Sequence, residues 1–165
     1  GVMIETPAAV WMSELFAREA DYLSIGTNDL TQYTVAVDRG NEHVSRLYSP
    51  YHPAVLREIN YVIACARKEG KMVTICGESA SDPKLIPLYL RYGVDELSVS
   101  ASLLLKTRKL INTLNLDDYH GMVDAISNLG SIEETESCLE SFAALVEAGN
   151  ELDQYNGFPG SGYHY

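Results

Sequence analysis

Four short apolar runs recur along the chain: Val2-Met3-Ile4, Tyr22-Leu23-Ser24-Ile25, Met72-Val73-Thr74-Ile75 and Leu97-Ser98-Val99. None shows the strict apolar-polar alternation of a strand with one wet face, so the runs predict strands buried on both faces of a parallel sheet. Helix signals fill the intervals. Thr6 and Pro7 supply a cap and first turn for a helix carrying Trp11, Leu15 and Phe16. Pro53 opens a second helix with Val55, Leu56, Ile59, Val62, Ile63 and Ala66 on one stripe, closed by Gly70. Asp82-Pro83 begins a third that ends at Gly93, with Pro87 inside it predicting a kink or a shortened helix. Ser100 is placed to cap a helix to about Leu114, and another is predicted from about Leu116 to Asn128. Ser131 and Glu134 have the spacing of a capping box before a last helix to about Ala148. The order βαβαβαβα defines an α/β fold, either a barrel or a doubly wound sheet.

At 165 residues the chain is too short for a complete (β/α)8 barrel, which takes about 250 residues. Residues 1–148 therefore read as one domain or a piece of one, and residues 149–165, with Gly157, Pro159, Gly160 and Gly162 among polar and Tyr residues, as a flexible tail. Gly1 leads straight into an apolar run, as expected of a segment of a longer protein. Cys65, Cys76 and Cys138 are odd in number and widely spaced, which argues against a disulfide framework and for a reducing compartment, the cytoplasm. No apolar run is long enough to insert into a membrane. The net charge of -11 is uneven: no Lys or Arg follows Lys109, while ten acidic residues lie between Asp117 and Asp153. Such a surface repels phosphate backbones and anionic lipid, which disfavours nucleic-acid and membrane-surface roles.

In both α/β architectures ligands bind beyond the carboxyl ends of the strands. The residues there are polar: Glu5 after the first run, Gly26-Thr27-Asn28-Asp29 after the second, Cys76-Gly77-Glu78 after the third and Ser100 after the fourth. Two carboxylates on neighbouring strand ends suit a hard cation such as Mg²⁺, with substrate phosphate and water completing the octahedron. Each residue also has a structural role open to it. Glu5 can serve a helix's first turn, Asn28-Asp29 a cap and turn, Cys76 a small buried position and Arg39 a surface turn. His43, His52, His120 and His164 are scattered without ligand spacing. No nucleophile elbow, P-loop or dinucleotide fingerprint occurs.

Four segments carry a resemblance: Gly1 to Pro7 (Gly-Val-Met-Ile-Glu-Thr-Pro), Ser24 to Tyr33 (Ser-Ile-Gly-Thr-Asn-Asp-Leu-Thr-Gln-Tyr), Ala36 to Asn41 (Ala-Val-Asp-Arg-Gly-Asn) and Cys76-Gly77-Glu78. In order and spacing they resemble the phosphoenolpyruvate-utilising enzymes. Pyruvate phosphate dikinase and phosphoenolpyruvate synthase share that core, whereas the stretch from Tyr33 to Asn41, with Leu47 to Pro50 and His52 to Leu56, is similar to Enzyme I, the phosphoenolpyruvate-protein phosphotransferases. The likeness covers residues 1 to 114 closely and 115 to 148 weakly.

The resemblance implies the later part of a (β/α)8 TIM-type barrel, about four parallel strands with flanking helices. It further implies phosphoryl transfer from phosphoenolpyruvate to a protein histidine, releasing pyruvate, with onward transfer to the carrier HPr for sugar uptake. By matching motif, Glu5 and Asp29 are the implied Mg²⁺ ligands, Asn28 and Arg39 the phosphate contacts, and Cys76 the acid that protonates the enolate carbon. An ordinary thiol, with a pKa of about 8.5, carries its proton at neutral pH and suits that role. The implied acceptor histidine belongs to a separate domain whose motif these residues do not contain, so a partial site is expected. A homodimer of the full protein is also expected. A noncatalytic binding or dimerisation module is the alternative from another class.

Overall fold

The computed structural model describes residues 1–38 and 40–156. Four strands, β1 (Val2–Ile4), β2 (Tyr22–Gly26), β3 (Met72–Cys76) and β4 (Glu96–Ser98), form one parallel sheet in the order β1-β2-β3-β4. A doubly wound sheet reverses its strand order at a switch point, whereas here each strand is added beside the last, as in a barrel. The expected α/β class with four parallel strands and flanking helices is therefore what the chain adopts.

The helices between strands are α1 (Pro7–Trp11), α2 (Ser13–Glu19), α3 (Thr27–Val35), α4 (Pro53–Lys68) and α5 (Ile86–Tyr92). After β4 come α6 (Ala101–Thr113), α7 (Met122–Ser127) and α8 (Ile132–Asn156). The core lies between the sheet and these helices: Ile4, Leu23, Ile25, Val73 and Ile75 meet the α4 stripe of Val55, Ile59, Val62, Ile63 and Ala66. That stripe matches its prediction because sixteen residues give the helical period room to register.

The other face of the sheet departs from expectation. Leu23, Ile25, Val73 and Ile75 are fully buried, but their strand neighbours Met3, Tyr22 and Met72 are 50%, 42% and 46% exposed. The outward positions Met3, Tyr22 and Met72 are thus open to solvent, although Thr74 on the same face is buried, and no described element packs over those three residues. The exposure was hidden because that face carries Met and Tyr as well as Ser and Thr, so the runs look largely apolar.

Several helices also differ in detail. Thr6 caps α1 as expected, accepting from the Ala9 amide at 3.2 Å, but the predicted single helix breaks at Met12. The break turns the buried line onto Val10, Ser13 and Ala17, leaving Trp11 tilted against the Tyr61 ring at the surface and Leu15 half exposed. Pro87 is explained by a later start: α5 begins at Ile86, so the proline falls in the first turn, where no amide is required. The helix predicted from Leu116 is a 3₁₀ turn over Leu116–Tyr119 followed by α7, the two separated by Gly121 at φ +80°.

The capping box forms, with the Ser131 hydroxyl accepting from the Glu134 amide and Glu134 accepting from the Ser131 amide. Helix α8 then passes its expected end, because Gly149 alone costs about 1 kcal/mol and helix-forming residues follow it. Residues 149–156 are thus helical, and the tail predicted over 157–165 lies outside the described residues.

Helix α3 was not predicted at all. Its buried positions Thr27, Leu30 and Thr31 have helical spacing, but two of the three are threonines, which carry no hydrophobic signal. Thr31 spends its hydroxyl on the Thr27 carbonyl at 2.7 Å. The helix closes on Ala36 at φ 54°, the one non-glycine residue with positive φ among those described. The left-handed conformation costs an L-residue about 1–2 kcal/mol. Ala36→Gly should therefore raise unfolding stability by roughly 0.5–1 kcal/mol after the entropy of the freer unfolded chain is subtracted. Urea denaturation of the two proteins measures the change.

Candidate active site

Parallel pairing sets the strand ends level. Ile4 pairs with Ile25, Gly26 with Cys76, and Cys76 with Ser98, so Glu5, Asn28-Asp29, Cys76-Gly77-Glu78 and Ser98-Ser100 all leave the sheet along one rim. A cleft of about 650 Å³ opens there, lined by Asn28, Cys76, Glu78, Ser98 and Leu103 among others. It brings together two of the predicted residues, Asn28 and Cys76. Glu5 and Asp29 stand outside its lining, and Arg39 lies outside the described residues.

Glu5 is half-buried and lies across Gly26: a Cβ on Gly26 would come within 2.8 Å of the Glu5 Cγ and 2.9 Å of its Oε1. The glycine before the Thr-Asn-Asp segment thus leaves the space that the Glu5 side chain occupies, and any larger residue would displace that side chain. Asp29 is half-buried in the first turn of α3, where its charge complements the helix dipole. None of the hydrogen bonds and ion pairs among the described residues uses either carboxylate. No three metal-ligating side chains converge among those residues. Two uncompensated carboxylates without His or Cys partners fit a hard cation that takes its remaining oxygens from substrate and water, as Mg²⁺ does.

A seam of hydrogen bonds that the sequence did not reveal joins the rim. The Thr27 hydroxyl donates to the Cys76 carbonyl at 2.9 Å, the Ser79 hydroxyl donates to Thr27 Oγ1 at 2.8 Å, and the Glu78 amide donates to Asn28 Oδ1 at 3.1 Å. With Oδ1 engaged, the Asn28 amide has its two N–H donors left. Gly77 makes the approach possible. At φ +109°, a Cβ there would sit 2.4 Å from Thr27 Oγ1 and 3.0 Å from Asn28 Oδ1. The only sequence sign of this seam was the Gly inside Cys-Gly-Glu. Farther out, the Tyr48 hydroxyl donates to the Asn28 carbonyl at 3.2 Å, and Tyr51 donates to Asp82 at 2.6 Å. Those bonds tie the segment after α3 to both sides of the cleft.

The Cys76 sulfur has its own partners. It accepts from the Ser24 hydroxyl at 3.7 Å and donates to the Ile25 carbonyl at 3.4 Å. The thiol thus stands at the junction of the rim cleft and the uncovered sheet face, since it lines depressions on both.

A parallel α/β unit with polar side chains gathered at the carboxyl ends of its strands has the layout of an α/β enzyme domain, in which ligands bind at that rim. Residues 1–116 match the family described as PEP-utilising enzyme, PEP-binding domain, and the chain belongs to that family. The phosphoenolpyruvate-protein phosphotransferase of Priestia megaterium is 49% identical over 141 residues, which is 86% of this chain and 25% of that protein. The enzymes of the same name from Listeria monocytogenes and Geobacillus stearothermophilus are 46% and 48% identical over 144 and 146 residues, 87% and 88% of this chain, and again 25% of each relative. The chain spans about a quarter of the length of the curated relatives it matches.

Thr27 holds the seam together, so its removal has a defined cost. In Thr27→Val the shape is kept, but the Cys76 carbonyl and the Ser79 hydroxyl each lose a buried partner. We expect a loss of about 1–3 kcal/mol, read as a lowered urea midpoint with an unchanged m-value.

Proposed function

We propose that this chain is the phosphoenolpyruvate-binding portion of a phosphoenolpyruvate-protein phosphotransferase, acting in the cytoplasm as part of a homodimer. The full enzyme transfers the phosphoryl group of phosphoenolpyruvate to a histidine on another domain, releases pyruvate, and passes the phosphoryl group to HPr. The observation that carries the reading is the joint presence of a thiol and an oriented amide in one cleft, with two carboxylates on the same rim of the sheet. The 46–49% identity to phosphotransferases favours this over a dikinase. No helix among the described residues is long and apolar enough to cross a membrane.

In this mechanism Glu5 and Asp29 would hold Mg²⁺, which would supply positive charge to offset that of the anionic substrate. Asn28 donates its amide hydrogens to a phosphate oxygen, and Arg39 provides a guanidinium fork for two more. The bridging P–O bond breaks as the histidine nitrogen bonds phosphorus, leaving the enolate of pyruvate. Cys76 then gives its proton to the methylene carbon: the S–H bond breaks, the C–H bond forms, and the sulfur keeps the electron pair until water reprotonates it. Phosphoryl transfer of this kind draws most of its rate from positioning and electrostatics, which the laced rim favours.

Two measurements on a full-length enzyme carrying this segment test the assignment. Cys76→Ala should keep phosphoenolpyruvate and Mg²⁺ binding by calorimetry while pyruvate release falls about 10²- to 10⁴-fold, the usual weight of a general acid. Unaltered turnover would refute it. Asp29→Ala should weaken phosphoenolpyruvate binding only when Mg²⁺ is present. Titrations that match the parent would remove Asp29 from the metal site.

A further inference from the structure

The proposed reaction leaves one neighbour of the thiol without a task. Ser24 lies on β2 in register with Thr74, two residues before Cys76 on β3, so Ser24 and Cys76 are diagonal neighbours on the uncovered face. Among the described residues its hydroxyl is the one side-chain donor to the Cys76 sulfur, and no described Lys, Arg or His bonds that atom.

We propose that Ser24 is a positioning residue for the proton-transfer step, holding the Cys76 sulfur and stabilising the negative charge that appears on it. The inference rests on the reading of Cys76 as the acid. In the resting state the S–H bond points to the Ile25 carbonyl at 3.4 Å. To reach a methylene carbon in the cleft, the hydrogen turns away from that carbonyl by rotation about Cβ–Sγ. The Ser24 O–H···S bond does not use the thiol hydrogen, so it persists through the rotation and keeps the sulfur in place.

Once the proton has left, the sulfur is anionic and faces the Ile25 carbonyl oxygen with no hydrogen between them. That contact turns repulsive, while the Ser24 bond changes from a weak neutral hydrogen bond to a charge-assisted one, roughly twice as strong. An interaction that strengthens as charge develops lowers the barrier rather than merely tightening binding. A hydroxyl also performs this without a cationic neighbour, which would hold the thiol deprotonated and leave it without a proton to give.

The test isolates the proton step by following deuterium uptake into the methyl group of pyruvate in D₂O with Mg²⁺, using NMR and a full-length enzyme carrying this segment. This exchange runs the Cys76 step backwards and needs no phosphoryl transfer. Ser24→Val and Ser24→Thr have the same shape and differ in the hydroxyl. Ser24→Val should slow exchange about tenfold or more, the scale of one hydrogen bond to a charged group, with the half-saturating pyruvate concentration unchanged. Ser24→Thr should restore most of the rate. Exchange in Ser24→Val equal to the parent, or a Thr variant as slow as Val, overturns the role of the hydroxyl. Persistent exchange in Cys76→Ala instead overturns the acid assignment beneath it, so the two failures are distinct. Should Ser24→Val not fold, Ser24→Ala against Ser24→Thr reads the same hydroxyl with the same two outcomes.

Discussion

The parallel register of the sheet is the constraint on which the site depends. Gly26 opposes Cys76 and Cys76 opposes Ser98, so polar segments far apart in sequence leave the sheet at one level. In a parallel sheet a shift by one residue would turn every side chain to the opposite face. Leu23, Ile25, Val73 and Ile75, all fully buried against α4, resist that shift. The apolar face therefore fixes the register, and the register fixes where the thiol and the carboxylates stand.

Level strand ends do not by themselves orient side chains, and the seam across Thr27 and Gly77 does that part. Helix α3 begins without a side-chain cap. The residue placed to stabilise its first turn, Thr27, instead donates across the sheet to Cys76. That exchange trades local helix stability for a fixed distance between two loops. It also makes the Thr-Asn-Asp and Cys-Gly-Glu segments interdependent: the glycine has to lack a Cβ because the threonine hydroxyl occupies that space.

How far the sequence could be read follows from the same physics. Strands β1 to β4, the α4 stripe and the Ser131–Glu134 box were legible because each depends on local pattern, and the placement of Glu5, Asn28, Asp29 and Cys76 on the rim was legible because they follow the strands directly. The break at Met12 and the exposure of Trp11 were not, since the apolar residues around them fit one continuous helix equally well. Helix α3 escaped because its buried side is made of threonines whose hydroxyls are satisfied by partners distant in sequence. Ser24, Thr27 and Ser79 are ordinary polar residues until the fold gives them Cys76 as a neighbour.

The uncovered sheet face bears on the chemistry as well as on stability. Cys76 shares that face with Ser24, Met3 and Met72, so one side of the thiol meets the rim cleft and the other meets solvent in this chain. A proton delivered to carbon competes with water as the base, and the competition favours carbon when water is excluded. In the role proposed for it, Ser24 orders the sulfur but does not exclude water. In the proposed enzyme that exclusion falls to whatever packs on Met3, Tyr22 and Met72, which are about half exposed here. The relatives are more than three times as long as this chain and have the length to supply that cover. In the proposed enzyme, binding of substrate at the rim and protonation at the thiol would thus make different demands: the first draws on the laced loops of this chain, and the second also requires its open face to be closed.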